Sequence, residues 1–375
     1  MTWPSVDVNQ VNQLQGEVTE VERCVLFIGK GKTGVGKTQA VNSQTDFDSL
    51  LGSAETPLKN MLKAAQANAG QNWWAFVHVL ADDAASEAWA DAALAAQLVC
   101  SVEGVVLCDA VSDKATINQA ATLRASLIAK YGRWVWFLLA VEGFYDKESQ
   151  ADYLARLSTL QNGIAEKAVQ LVPCLWGNEP GVLAGRLCSR AVTVADSPAR
   201  VKTGALLNLG SDDMPVDGAG EAVTVATLQA LEAQRFSVPM WYPDYDGLYW
   251  SDGRTLDVEG GDYQSIETLR IADKVARRVR LLAIGKIGDR SLNSTPGSIA
   301  AHQSLFAAPL REMSKAVQIN GVTFPGEVKP PKDGDVKIVW KTRKHVEIYI
   351  VLRPFEVPLQ ISISLLLDQT VEASA

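Results

Sequence analysis

Apolar residues follow two different rhythms along this chain, and the change of rhythm divides it. Between residues 21 and 210, short continuous apolar runs fall at 24–28, 74–80, 104–108, 135–141 and 169–175. Runs of that length without alternation read as strands buried on both faces. Helical stretches at 86–99, 117–131 and 149–167 separate them. The order predicts an α/β domain with a mostly parallel sheet and flanking helices. Residues 211–220 (Asp212-Asp213, then Gly218-Ala219-Gly220) read as a linker.

From 221 to 354 helices come first and strands follow, the order of an α+β domain. A helix over 223–234 leads to an aromatic loop at 241–250. The next helix, 266–283, puts Ile266, Leu269, Ala272, Val275, Val279 and Leu282 on one face and Arg270, Lys274, Arg277 and Arg278 on the other. A further helix is capped by Ser294 or Thr295, with Pro296 at its first position. It turns Ile299, Phe306, Leu310 and Met313 inward, and Pro309 is expected to bend it. A loop at 325–335 precedes a strand pair over 336–352.

Both chain ends read as extended arms. Residues 1–20 carry Val6, Val8 and Val11 among Asn, Gln and Asp, with no apolar mass nearby. Residues 355–375 begin with strict alternation. Val357, Leu359, Ile361, Ile363 and Leu365 share one face, and Pro358, Gln360, Ser362 and Ser364 the other. Period two over that length predicts a half-buried strand. Covering the five side chains is worth at most about 7–15 kcal/mol. Left uncovered, they form an apolar edge, so the strand packs in its own domain or under another subunit.

Composition narrows the function classes. The chain has 375 residues, net charge −8 and a sequence pI near 5.1, which argues against a uniformly basic nucleic-acid binder. Its apolar runs are too short to span a bilayer, and the N-terminus lacks the basic and apolar regions of a secretory signal. Cys24, Cys100, Cys108, Cys174 and Cys188 are odd in number and form no CxxC, so they read as small core residues. His78, His302 and His345 are too scattered for a metal site or a relayed triad, and neither metal nor cofactor is expected.

One motif points elsewhere. Gly31-Lys32-Thr33-Gly34-Val35-Gly36-Lys37-Thr38 is a literal G-x-x-x-x-G-K-T after a strand, and the run 105–109 ends in Asp109 like a Walker B strand. A phosphate-binding protein would use Gly31, Gly36, Lys37 and Thr38 there. A phosphate loop must open a helix, because helix N-terminal amides hold the anion. The residues that follow read instead as a short strand, 39–42, and then a helix capped at Ser43 or Thr45. Asp244, Asp246 and Asp252 form an acidic cluster among aromatics, which favours a structured loop over a calcium site. The basic face at 270–278 favours solvent or an acidic protein partner over nucleic acid.

Several short segments, in order, resemble the tail sheath proteins of contractile-tailed bacteriophages, in a divergent branch. They are Val25-Leu26-Phe27-Ile28-Gly29, the segment from Val41-Asn42-Ser43 through Asp46-Phe47 to Leu51-Gly52, and Asn72-Trp73-Trp74-Ala75-Phe76-Val77. Glu179-Pro180-Gly181-Val182-Leu183-Ala184-Gly185-Arg186, Gly247–Leu256 and Arg353-Pro354-Phe355-Glu356-Val357 continue the likeness. Ser251-Asp252 interrupts the family's usual Trp-Gly in the fifth segment. The sheaths of tailocins and contractile injection systems are related.

The resemblance implies a structural subunit without catalysis. Such subunits stack as hexameric rings around a tail tube, contract to drive the tube through a host envelope, and meet baseplate and tail terminator proteins. It implies a virion component assembled in the host cytoplasm, with no direct nucleic-acid or membrane contact. The α/β domain would lie outward and the 221–354 unit inward. Both arms would add strands to neighbouring subunits, through Val6, Val8 and Val11 and through Val357, Leu359, Ile361, Ile363 and Leu365. Arg277 and Arg278, or Arg311 and Lys315, would touch the tube. A P-loop nucleotidase and a monomeric α/β binding module are the competing classes.

Overall fold

The computed structural model describes residues 21–365. Its first half is built around one six-stranded sheet. In chain order its elements are β1 (Val25–Lys30), β2 (Thr38–Asn42), α1 (Phe47–Leu51), α2 (Pro57–Ala69), β3 (Trp74–Leu80) and α3 (Ala88–Ala96). Then come β4 (Gly104–Val111), α4 (Lys114–Tyr131), β5 (Trp136–Val141), α5 (Gln150–Gln161), β6 (Val169–Pro173) and α6 (Glu179–Cys188). The strand order is β2-β3-β1-β4-β5-β6. Every neighbouring pair is parallel except β2–β3, so the sheet is mixed, with one antiparallel edge strand. Parallel strands need cover on both faces, and β1, β5 and β6 are buried almost throughout.

Local chemistry explains the element ends. Asp46, not Ser43 or Thr45, caps α1, accepting from the amides of Asp48 and Ser49. Thr56 caps α2 with Pro57 at its first position, a start signal as plain as any in the chain but unread above. Helices α2 and α6 pack closely because Gly181 and Gly185 of α6 lie against the α2 backbone: a Cβ at either would sit under 3 Å from Met61 or Ala65 carbonyls. Helix α5 stops at Gln161 rather than 167, since Glu166 instead pairs with Leu256 across an antiparallel bridge.

The chain continues through α7 (Val225–Ala233), β7 (Pro239–Tyr242), β8 (Tyr245–Trp250), α8 (Ile266–Ile284) and α9 (Pro296–Met313). It ends in two hairpins, β9 (Val317–Ile319) with β10 (Val322–Phe324), and β11 (Val336–Thr342) with β12 (His345–Ile350). The expected aromatic loop is a hairpin, β7–β8, turned by Asp244 in the left-handed region. Asn320-Gly321, both at positive φ, turns β9 into β10. Thr295 caps α9, which runs helical through Pro309.

Packing joins residues on both sides of 211–220. One core includes Cys24, the sheet, and then Val223, Phe236, Trp250, Leu256, Ile266 and Leu269. Residues 236–237 even extend the sheet, since Phe236 bridges Leu171 of β6. Two smaller cores follow along α8. One holds Ile271, Val275, Leu310, Met313 and Val328, and the other Phe306, Ala307, Val336 and Ile338. Helix α8 therefore links the large core to the small ones. All five cysteines are free thiols, four of them buried.

The expected strand over 357–365 does not form against any of the described residues. The segment pairs with no strand among the described residues, and its apolar side chains are exposed.

Candidate assembly interface

The C-terminal segment is anchored first and released second. Beyond β12, the Val351 amide donates to the Asp335 carbonyl at 2.9 Å, and Arg353 forms an ion pair with Asp335. The Lys329 amide donates to the Arg353 carbonyl at 2.7 Å, Val328 bridges Pro354, and Lys329 pairs with Glu356. The Arg353 guanidinium holds the Asp335 carboxyl below its ordinary range. Past Glu356 these ties end. Exposure then climbs from 42% at Val357 to 74% at Ile361 and 93% at Leu365. A run of exposed alternating apolar side chains is unusual on a soluble surface and marks a surface that another element covers.

The other expected strand residues, Val6, Val8 and Val11, lie outside the described residues. The root of that end is held firmly. Glu22 pairs with Arg277 at 2.7 Å, and the Arg23 amide donates to Glu103 Oε2 at 2.7 Å.

Helix α8 uses its basic residues inside the molecule. Arg270 pairs with Glu103 through two bonds of 2.7 and 2.9 Å and donates to the Leu187 carbonyl, all of it buried. Burial pushes the Glu103 carboxyl up, but Arg270, Arg277 and the Arg23 amide together outweigh it and hold the group below its usual value. Asp273 takes two bonds from Arg124 of α4, and Lys274 pairs with Glu327 at 2.8 Å. Arg277, beyond its pair with Glu22, donates to the Trp134 carbonyl at 3.2 Å. The face expected to meet solvent or a partner is thus an internal clasp at Arg270, Lys274 and Arg277. Arg278 is half-buried, while Arg311 and Lys315 are exposed on and just beyond the end of α9. Arg311 donates to the Ser304 carbonyl at 2.6 Å.

The glycine-rich loop sits where a doubly wound sheet often binds phosphate, beyond the carboxyl end of β1 beside β4. Three of its amides are engaged within the chain. Gly31 donates to the Leu80 carbonyl, Gly36 to Val79 and Lys37 to Gly34. The loop leads into strand β2, where the Thr38 hydroxyl lies 2.9 Å from His78 Nδ1. Asp109 accepts from the Lys30 amide at 3.3 Å and is raised by burial. The loop opens strand β2 and not a helix, so it lacks the helix start that a phosphate loop supplies.

The acidic trio does not converge either. Asp244 and Asp246 lie at the exposed turn of the β7–β8 hairpin, whereas Asp252 is buried beyond its other end. Among the described residues no three His, Cys, Asp or Glu side chains are placed to hold a metal ion. Sequence reasoning overlooked Glu267, a buried carboxyl opposite Asp252. It shares the face of α8 that carries Arg270 and Lys274, three and seven residues on, so nothing in the spacing marked it as buried.

Comparison with known proteins identifies the family and the fold. Residues 3–254 match the family model described as the DUF2586 N-terminal domain, and residues 262–370 match the DUF2586 C-terminal domain. A protein of Haemophilus phage HP1 (strain HP1c1), named as a tail sheath protein, is 51% identical over 371 residues, covering 98% of each chain. The helical sheath of the anti-feeding prophage in its contracted state superposes with TM-score 0.59 at 14% identity, over 99% of this chain and 100% of that one. The sheath tail protein from Desulfitobacterium hafniense gives TM-score 0.52 at 11% identity, over 93% and 96%. At those identities the two structures show a shared fold.

Proposed function

This chain belongs to the tail sheath protein family of contractile phages, and we propose that its exposed C-terminal segment is the strand that links one sheath subunit to the next. A sheath subunit has a structural role. The observation that carries the linking role is the ladder at Val357, Leu359, Ile361, Ile363 and Leu365, which is anchored at its root and uncovered along its length. A strand of a neighbouring subunit's sheet gives that ladder both backbone partners and apolar cover. Because donor and acceptor surfaces differ, the contact repeats instead of closing, and a tube grows. Hexameric rings stacked around a tail tube, arms at both ends, and rigid-body movement into a shorter lattice complete the proposal.

The clasp along α8 supports such movement. Four internal ion pairs tie the sheet unit, the N-terminal root and the 327 loop to one helix, so the subunit shifts as a body while its arms bend. Of the four candidate tube contacts, Arg311 and Lys315 present exposed charge, Arg278 a half-buried one, and Arg277 is engaged at Glu22. We place the tube contact at Arg311 and Lys315, the 21–210 unit outward and the 221–354 unit inward. The other partners of the proposal are baseplate and terminator proteins, in a virion assembled in the host cytoplasm.

Negative-stain electron microscopy of the purified chain tests the linking role. The full chain forms striated tubes or stacked rings, and a chain ending at residue 356 stays monodisperse with an unchanged melting temperature. Tubes formed by the shortened chain would refute the linking strand. Failure of the full chain to assemble, alone or with tube and baseplate, would refute polymerisation.

A further inference from the structure

A groove of about 820 Å³ lies between the loop at 193–201, the base of the β7–β8 hairpin, the start of α8 and residues 354–361. Two carboxyl groups from adjacent strands of backbone lie in its wall. Arg254 bridges Ser265 in antiparallel sense, and the Ile266 amide donates to the Gly253 carbonyl at 2.8 Å, which brings Asp252 opposite Glu267. The two side chains are 9% and 5% exposed, and Asp252 Oδ1 and Glu267 Oε2 have no hydrogen-bond partner among the described residues. The nearby cations are already paired, Arg270 with Glu103 and Arg254 with Glu232 and Glu259. Burial pushes Asp252 up to about 6; burial, followed by the charge of Asp252, pushes Glu267 up to about 8. Asp196, paired with Arg200, and Glu356, paired with Lys329, line the same groove, as does Arg200 itself. The Gly253 amide lies near Asp252 and the Ser265 hydroxyl near Glu267, but one buried oxygen of each acid is left without a donor, and an ammonium or guanidinium group supplies both N–H bonds and the opposite charge.

The chain carries a segment of matching chemistry. β11 and β12 meet in an exposed turn, Thr342-Arg343-Lys344-His345, and among the described residues Arg343 and Lys344 pair with no carboxylate. The turn stands about 20 Å from the base of its own hairpin, at about 3.3 Å per strand residue. That base, not the turn, neighbours the groove, through Val351 and Pro354. We propose that the groove receives the basic turn 342–345 of a second copy of the chain, with Arg343 or Lys344 reaching Asp252 and Glu267. The contact runs from the groove of one copy to the turn of the next, so it propagates along an assembly. It rests on the sheath reading, and the groove shares Val357, Leu359 and Ile361 with the linking strand.

Two pools of full-length chain test it, one carrying Thr268→Cys in the groove and the other Thr342→Cys in the turn, mixed with a short bismaleimide. The native thiols are mostly buried and raised by burial, which favours reaction at the new sites. A crosslinked heterodimer is expected. Its yield falls about tenfold or more when the turn pool also carries Arg343→Glu and Lys344→Glu, because like charges then face the acids. Asp252→Asn with Glu267→Gln in the groove pool gives a fall in the same direction, and circular dichroism confirms that each variant is folded. No heterodimer, or a yield unmoved by the turn reversal, overturns the proposal. Electron microscopy of the unaltered chain reads the sheath assignment separately, so either idea fails alone.

Discussion

Strand β5 and the segment 357–365 use the same kinds of residue and meet opposite fates. Trp136, Phe137, Leu138, Leu139, Ala140 and Val141 are fully buried, between helices that the same chain supplies. Val357, Leu359, Ile361, Ile363 and Leu365 are exposed, and their exposure rises toward the end of the described chain. Hydrophobic patterning therefore encodes the demand for cover and leaves its source open. In β5 the source is local, because helices on either side in sequence fold back onto the sheet. In the terminal segment no later element among the described residues supplies it, and the proposed linking role assigns that cover to a neighbouring subunit.

Paired alanine variants give the largest effect that could break this comparison. Phe137→Ala should lower the unfolding free energy by about 3–5 kcal/mol, the usual loss for an aromatic removed from a packed core. Ile363→Ala should stay within about 0.5 kcal/mol in the unassembled chain, since it touches little. Urea unfolding of both at a concentration below assembly decides it. A similar loss from Ile363→Ala would mean that the segment folds onto its own chain in solution.

A smaller effect sharpens a parallel contrast between buried charges. Glu103 is paired with Arg270, whereas Asp252 and Glu267 face each other unpaired. Glu267 is raised from 4.5 to about 8 and Asp252 from 3.8 to about 6. Across those windows the folded chain binds more protons than the unfolded chain, so these groups make stability fall as pH rises from about 4 to 8. Glu103, lowered in the folded state, works in the opposite sense and loses its contribution on acidification. Glu267→Gln should therefore be more stable than the native chain at pH 8, with the advantage shrinking toward pH 5. Thermal melts of the unassembled chain at both pH values measure it, and a pH-independent difference would show that Glu267 ionises normally.

Legibility followed the same divide between local and distant causes. The strand over 74–80 and the strand starts near 25, 104, 136 and 169 were readable because continuous apolar runs are local signals. The cap at Thr295 and the strand after the glycine-rich loop were readable for the same reason. What the sequence hid was pairing across distance. Arg270, Lys274 and Arg277 look like a solvated helix face until Glu103, Glu327 and Glu22 are brought to them from 167, 53 and 255 residues away. The β7–β8 hairpin was missed because aromatic and acidic residues masked its alternation. At the carboxyl end the apolar ladder of 357–365 was legible as a pattern, but the sequence does not say what covers it.

The smallest expected effect tests the one motif that argued for another class of protein. Lys37 is exposed, its amide is bonded to the Gly34 carbonyl, and the next residue enters a strand, not a helix. Lysine in a phosphate loop is indispensable because it neutralises charge that the loop amides alone do not balance. Here three of the loop amides, those of Gly31, Gly36 and Lys37, are spent on carbonyls of the same chain. Lys37→Ala should shift stability by no more than about 0.5 kcal/mol and leave assembly into tubes unchanged. Calorimetric titration of the native chain with magnesium and ATP should give no binding heat. A heat that Lys37→Ala abolishes would restore a ligand to this loop and set the edge at β2 beside the terminal segment as a second working surface.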